Sequence, residues 1–236
     1  MTGDAEGMRT AAFFDVDGTL ARTTIVHYYV YFRRRQISAW IRPLWHAAFL
    51  LKCLYYLAVD RIDRSAFNTA FYRSYADVRV DEVKARAPDC YRDVIVPRRF
   101  VQASDCVAEH RRAGRRIVLV TGAMAYVMEP FASDLGADDL IAVKLIETNG
   151  CFTGRLEGPP IARDEKADRV RRLAQERGID LQQSYAYGDS VSDLAMLEAV
   201  GHPQAVNPDR RLAAIAEARG WPIHRWTVGV GETNHP

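Results

Sequence analysis

Short apolar runs, each stopped by a turn, set the rhythm of this chain. Residues 11 to 14 run into Asp15-Val16-Asp17-Gly18-Thr19, and Arg116 to Val120 stops at Thr121-Gly122. Residues 184 to 187 meet Gly188-Asp189, and His202 to Val206 precedes Asn207-Pro208. Four- and five-residue apolar runs closed by such residues predict buried strands. Between them the apolar spacing turns helical, over roughly 101–113, 125–135, 163–177, 193–200 and 208–219. Strands alternating with helices predict an α/β fold with a parallel, doubly wound sheet. Residues 144 to 157, with Asn149-Gly150 and Thr153-Gly154 between apolar positions, read as a hairpin at its rim.

Residues 21 to about 100 break this rhythm. They are rich in aromatics, Leu and Arg, and lack strand–turn punctuation. Their helical spacing predicts an all-α insertion after the first strand. The expected division is therefore a core from 1–20 and 101–236, with a helical cap at 21–100.

Composition narrows the class. The 236 residues are 48% hydrophobic and 26% charged, a globular balance. A net charge of +2 is too mild to argue for nucleic acid as the main partner, and none is expected. Cys53, Cys90, Cys106 and Cys151 are scattered with no CxxC spacing, which argues for reduced, packed thiols and a cytoplasmic setting. The N-terminal residues are polar, lack the apolar run of a signal peptide and read as a loose tail.

The stretch 37–59 is the most hydrophobic of the chain. Its apolar part, 44–59, falls short of the ~20 residues a spanning helix needs and carries His46 and Lys52. No transmembrane span is expected. A buried helix beside a solvated basic turn is the leading reading. Peripheral contact of 33–59 with anionic headgroups, through Arg33, Arg34 and Arg35, is the other.

The strand ends carry the chemistry. In a parallel sheet the carboxyl ends of all strands lie on one edge, where ligands bind. Asp15 and Asp17, Thr121 and Gly122, and Asp189 would converge there, with Lys166 at the start of a helix. Crowded carboxylates call for a cation or a shared proton. A hard ion such as Mg²⁺ takes oxygen ligands, here Asp15, Asp189 and the backbone carbonyl of Asp17. A carboxylate can attack phosphorus, and a second can protonate the leaving oxygen. A hydroxyl, an amide N–H and a lysine can hold the phosphoryl oxygens. Taken singly, each residue has a plain reading: Thr121 as a strand end, Lys166 as a solvated helix lysine with Lys144 as a rival, Asp193 as a helix N-cap.

Together, and in this order, the motifs resemble the haloacid dehalogenase superfamily, in its phosphoserine phosphatase-like subgroup. The likeness is carried by Asp15-Val16-Asp17-Gly18-Thr19, Thr121-Gly122, Lys166 and Gly188-Asp189-Ser190-Val191-Ser192-Asp193. It implies a Rossmann-like three-layer core with an inserted helical cap and a Mg²⁺-dependent phosphomonoester hydrolase. By resemblance Asp15 is the nucleophile and Asp17 the general acid and base. Thr121, Gly122 and Lys166 would bind phosphate. Asp15, Asp17 and Asp189 would hold Mg²⁺, and Asp193 would orient the metal site.

Two positions depart from the subgroup. Thr24 stands where phosphoserine phosphatases carry a glutamate, and Ser192 stands where they usually have asparagine. Both weaken phosphoserine as substrate and leave a lipid phosphate in play, since the cap is unusually apolar. Cap residues Tyr28, Tyr29, Arg33 and Arg35 are candidates to reach the substrate. A phosphotransferase, and a non-catalytic membrane- or partner-binding module on the same fold, remain alternatives.

Overall fold

The computed structural model describes residues 9–229 except 39 and 63, with the side chains of 36 and 54–65 outside the description. Residues 1–8 of the polar N-terminal segment therefore lie outside it. The chain opens with β1 (Ala11–Phe14), then α1 (Ile25–Gln36), α2 (Arg42–Ile62), α3 (Arg64–Tyr72) and α4 (Val80–Cys90). A π-helical turn, Tyr91–Ile95, follows, then α5 (Val101–Arg112), β2 (Arg116–Met124), α6 (Ala125–Leu135) and β3 (Asp139–Val143). Next come β4 (Leu145–Thr148), β5 (Cys151–Leu156), α7 (Asp164–Arg177), β6 (Tyr185–Gly188) and α8 (Leu194–Glu198). The described chain ends with β7 (His202–Val206), α9 (Arg210–Arg219) and β8 (Ile223–His224).

Six strands form one sheet in the order β3-β2-β1-β6-β7-β8, every pairing parallel. The chain builds outward from β1 through β2 to β3, then returns to the other side of β1 with β6. The gap between β1 and β6 is thus a topological switch point, where a crevice opens at the carboxyl ends. All four residues of β1 are fully buried, as a strand covered on both faces requires. Phe14 stacks on Tyr187 of β6 at 4.6 Å between ring centroids, which ties the two strands of the switch point together.

The α/β alternation matches the sequence expectation, with three differences. The strand at 116 continues to Met124 instead of ending at Thr121-Gly122, and its register against β3 shifts between Val120 and Met124. Thr121 and Gly122 therefore sit in an irregular stretch of a longer strand. Strands β3 and β8 were not expected: the apolar run 140–143 of β3 stands directly before the hairpin with no Gly, Pro or Asn to close it, and β8 has only two residues.

Between β1 and α5 the described elements are helices and turns. Their interior is aromatic: Tyr29 meets Phe49, Phe71 and Tyr75 at 5.1–5.5 Å between ring centroids. The expected hairpin is β4 and β5, turning at Asn149-Gly150 with both φ positive, as a two-residue hairpin turn demands. It is no free rim. Phe152 of β5 exchanges backbone hydrogen bonds with the segment before α4: its N–H donates to Val78 and its carbonyl accepts from Asp77, both at 2.9 Å. Among the described residues no helix is long and apolar enough to cross a membrane.

Candidate active site

The chain leaves β1 at Asp15, whose N–H donates to the Tyr187 carbonyl across the switch point. Its carboxylate is buried. One oxygen accepts from Thr19 Oγ1 at 3.0 Å and the other from Lys166 Nζ at 2.5 Å. Lys166 reaches it from the first turn of α7, which is anchored where the Arg163 N–H donates to the Ser192 carbonyl. The same ammonium donates to Asp193 Oδ1 at 2.5 Å. A buried lysine clamped between two carboxylates is not a solvated helix residue. Burial opposes its charge, but Asp15 and Asp193 outweigh it and hold the ammonium above its ordinary range. The rival Lys144 borders other cavities, with Glu157.

Asp193 is also buried, at 1% exposure. It is the residue before α8, yet its side chain caps nothing in that helix. Its second oxygen instead accepts from the N–H groups of Asp189 and Ser190 and from Ser190 Oγ, all at 3.2 Å. Asp193 thus holds the loop after β6 in shape and positions Lys166.

Two glycines let these groups converge. A Cβ on Gly18 would stand 2.2 Å from Asp189 Oδ2, and one on Gly188 would stand 2.6 Å from the Cβ of Asp193. Gly18 also has φ +98°, a conformation side chains rarely adopt. With no side chain there, carboxylate oxygens of Asp15, Asp189 and Asp193 lie within 4.8 Å of one another. Three carboxylates against one ammonium leave an excess of negative charge at a hard-oxygen cluster. That donor set fits a divalent cation of the Mg²⁺ type. Burial, eased by Lys166 and worsened by Asp193, pushes the Asp15 carboxyl up to about 7. A cation at the cluster would favour its ionised form.

Asp17 is turned the other way. Its carboxylate accepts from Tyr28 Oη at 2.7 Å, and the same hydroxyl lies 2.8 Å from Thr23 Oγ1. Burial first, then Asp17, holds the Tyr28 phenol protonated, as this donation needs. Asp15, Asp17, Lys166 and Asp189 all border one cavity of about 330 Å³, together with Gly122. Thr121 lies fully buried beside it, its hydroxyl accepting from the Ala123 N–H at 3.0 Å.

The cap closes one side of this cavity with Thr23, Thr24, Ile25 and Asn68. Asn68 is a buried polar residue beside Gly122, and Tyr72 Oη donates to the Gly122 carbonyl at 2.6 Å. Asn68 and Tyr72 were not foreseen; helical periodicity places them on a buried face but says nothing of which strand end that face meets. Of the cap residues expected to reach the substrate, Tyr28 contacts the site, through Asp17. Tyr29 packs in the aromatic interior, and Arg35 pairs with Asp93 at 3.5 Å.

Several known proteins resemble this chain. The chain is 37% identical over 230 residues to the inhibition of morphological differentiation protein of Streptomyces azureus, covering 91% of this chain and 78% of that one. It is 32% identical over 223 residues to a probable phosphatase of Mycobacterium tuberculosis, covering 94% and 77%. The crystal structure of a protein of unknown function from Bordetella pertussis superposes with a TM-score of 0.80 at 32% identity, covering 92% and 99%. The model of the haloacid dehalogenase-like hydrolases matches residues 12–198, a span from β1 to α8 that takes in every residue of the site, and the chain belongs to that family.

Proposed function

We propose that this phosphatase is a Mg²⁺-dependent phosphomonoester hydrolase working through an aspartyl-phosphate on Asp15. One observation carries the reading: a nucleophile-type carboxylate, a second carboxylate, a buried ammonium and the glycine after Thr121 border a single cavity at the switch point. Asp15 attacks phosphorus, the bond to the ester oxygen breaks, and Asp17 gives that oxygen a proton. Asp17, now ionised, takes a proton from water, which attacks the phosphorus and releases inorganic phosphate and free Asp15. The Gly122 N–H, the Thr121 hydroxyl and Lys166 hold the phosphoryl oxygens as charge develops. Tyr28 aims the Asp17 carboxyl. Asp15, Asp189 and the Asp17 carbonyl are the proposed cation ligands, with Asp193 behind them; a bound cation supplies charge neutralisation between the carboxylates and the phosphoryl group. Residues 21–100 act as the cap that selects substrate and keeps water out.

Among the described residues, the cap's contribution to the cavity contains no carboxylate. Thr24 borders it, with its hydroxyl 2.9 Å from His27 Nδ1. A substrate ammonium would find neutral oxygens but no counter-charge on that wall, which supports a phosphate ester of an uncharged or apolar alcohol, lipid phosphates included, over phosphoserine. The test is phosphate release with Mg²⁺ across phosphoserine, sugar phosphates, lysophosphatidate and phosphatidylglycerophosphate. Turnover abolished by Asp15→Asn supports the mechanism. Phosphoserine turned over fastest would overturn the substrate reading. Transfer to an added alcohol in place of phosphate release would make the protein a phosphotransferase.

A further inference from the structure

The exposed face of α2 has no role in the chemistry above. Leu44 is 73% exposed, Leu51 70% and Leu50 66%, and Trp40 in the turn before the helix is 82% exposed. Leu44, Ala47, Ala48 and Leu51 recur at helical spacing on one side, all exposed, while Phe49 faces the aromatic interior. A contiguous apolar face of this kind marks an interaction surface.

Charge says what kind. Residues 18–59 contain Arg22, Arg33, Arg34, Arg35, Arg42 and Lys52 and not one Asp or Glu, in a chain whose net charge is only +2. The basic excess is therefore gathered here, and the rest of the chain is net acidic. Beside the first turn of α2 lies a cavity of about 660 Å³, bordered by Arg34, Arg35, Arg42 and Arg98 with Val26 and Val30 and by one carboxylate, Asp93, which pairs with Arg35. Arg34 is exposed and has no carboxylate partner among the described residues; Arg42 and Arg98 donate to backbone carbonyls. His27 borders this cavity and bonds to Thr24, which borders the catalytic one, so the basic surface adjoins the active site.

We propose that this face docks on a bilayer rich in anionic phospholipid. Trp40, Leu44 and Leu51 enter the interface, and the arginines of the neighbouring cavity meet lipid phosphates. An amphipathic helix with an aromatic at its end and cations at its flank has the chemistry of interfacial binding. A purely protein partner would need complementary carboxylates and gives no reason for an apolar tip set beside so many arginines.

The experiment is flotation of the full chain with vesicles of phosphatidylcholine alone and of phosphatidylcholine with phosphatidylglycerol. Binding to the anionic vesicles, weakened by salt and at least about tenfold weaker in Trp40→Ser/Leu44→Gln/Leu51→Gln, is expected. Arg34→Gln should weaken it about fivefold. Both variants should hydrolyse a small soluble phosphate ester as the parent does, which shows that they fold. No vesicle binding, equal binding to both vesicle types, or unchanged binding by the triple variant overturns the proposal. A concentration-dependent dimer lost in the triple variant, without vesicle binding, would also overturn it and assign the face to a second copy.

Discussion

At Gly18 the backbone conformation and the nearby Asp189 carboxylate leave no room for a side chain. Gly18→Ala should therefore displace the acidic cluster. We expect turnover to fall by at least about tenfold and stability by about 1–3 kcal/mol, read from steady-state kinetics and thermal unfolding. Asp17→Asn removes the proton donor while keeping the Tyr28 contact, so a loss of about 10²–10⁴ in kcat is expected, smallest for esters of acidic alcohols. His110 offers a test of pH dependence away from the site. It is buried against Tyr187, 2.7 Å from the hydroxyl, and burial, helped by Arg115, lowers its pKa to about 4. The folded protein then resists a proton that the unfolded chain accepts below about 6.5, so this residue's contribution to stability is lost as pH falls from about 6.5 to 4. His110→Gln should flatten the pH dependence of stability in that window by about 1–3 kcal/mol, measured by denaturant unfolding across the range. An unchanged slope would count against the assignment.

Among the elements, the β4–β5 hairpin does more than its sequence suggests. Asn149-Gly150 marks it as a hairpin. Its docking on the segment before α4 is a long-range event that no local pattern records. Phe152, 1% exposed, meets Tyr75 edge-on at 6.4 Å and sits at the centre of this contact. Phe152→Ala should cost about 3–5 kcal/mol and loosen the cap against the core. The expected signature is a lower thermal midpoint together with a raised KM, because the hairpin helps hold the wall that carries Asn68. A stability loss with KM unchanged would show that the brace and the substrate wall are independent. The π-helical turn Tyr91–Ile95 follows Pro88 of α4 and carries Asp93, the partner of Arg35.

For the molecule as a whole, the acidic cluster and the cap set the functional balance. Three carboxylates about one buried lysine repel one another without a cation, so a divalent ion should stabilise the folded state by mass action. At about a hundred times its dissociation constant the gain is about 2.7 kcal/mol. A rise in thermal midpoint with added Mg²⁺, abolished in Asp189→Asn, is the expected result; a rise that survives the substitution would place the ion elsewhere.

The α/β class was legible because strands buried on both faces must be short apolar runs, and because their turns use Gly, Asp and Asn. The site was legible to the extent that its residues stand at strand ends, which a parallel sheet gathers on one edge without further information. Asp15, Asp17, Gly122 and Asp189 belong to that class. Lys166 could be placed at a helix start, but only the packing of α7 against the loop after β6 shows its ammonium held between Asp15 and Asp193. Nor could local pattern separate an Asp193 that caps a helix from one that shapes a loop, since both need a carboxylate at the same position. Strand β8 escaped because two residues have no periodicity of their own and are defined by the neighbour's backbone, and β3 escaped because its apolar run 140–143 has no turn residue between it and the hairpin that follows. The cap's part in the site, through Tyr28, Asn68 and Tyr72, was settled only by tertiary structure. The order of residues states which side chains are available and, for the most part, which elements carry them. Which cap face meets which strand end depends on side-chain packing between segments far apart in the chain, and only the folded molecule decides it.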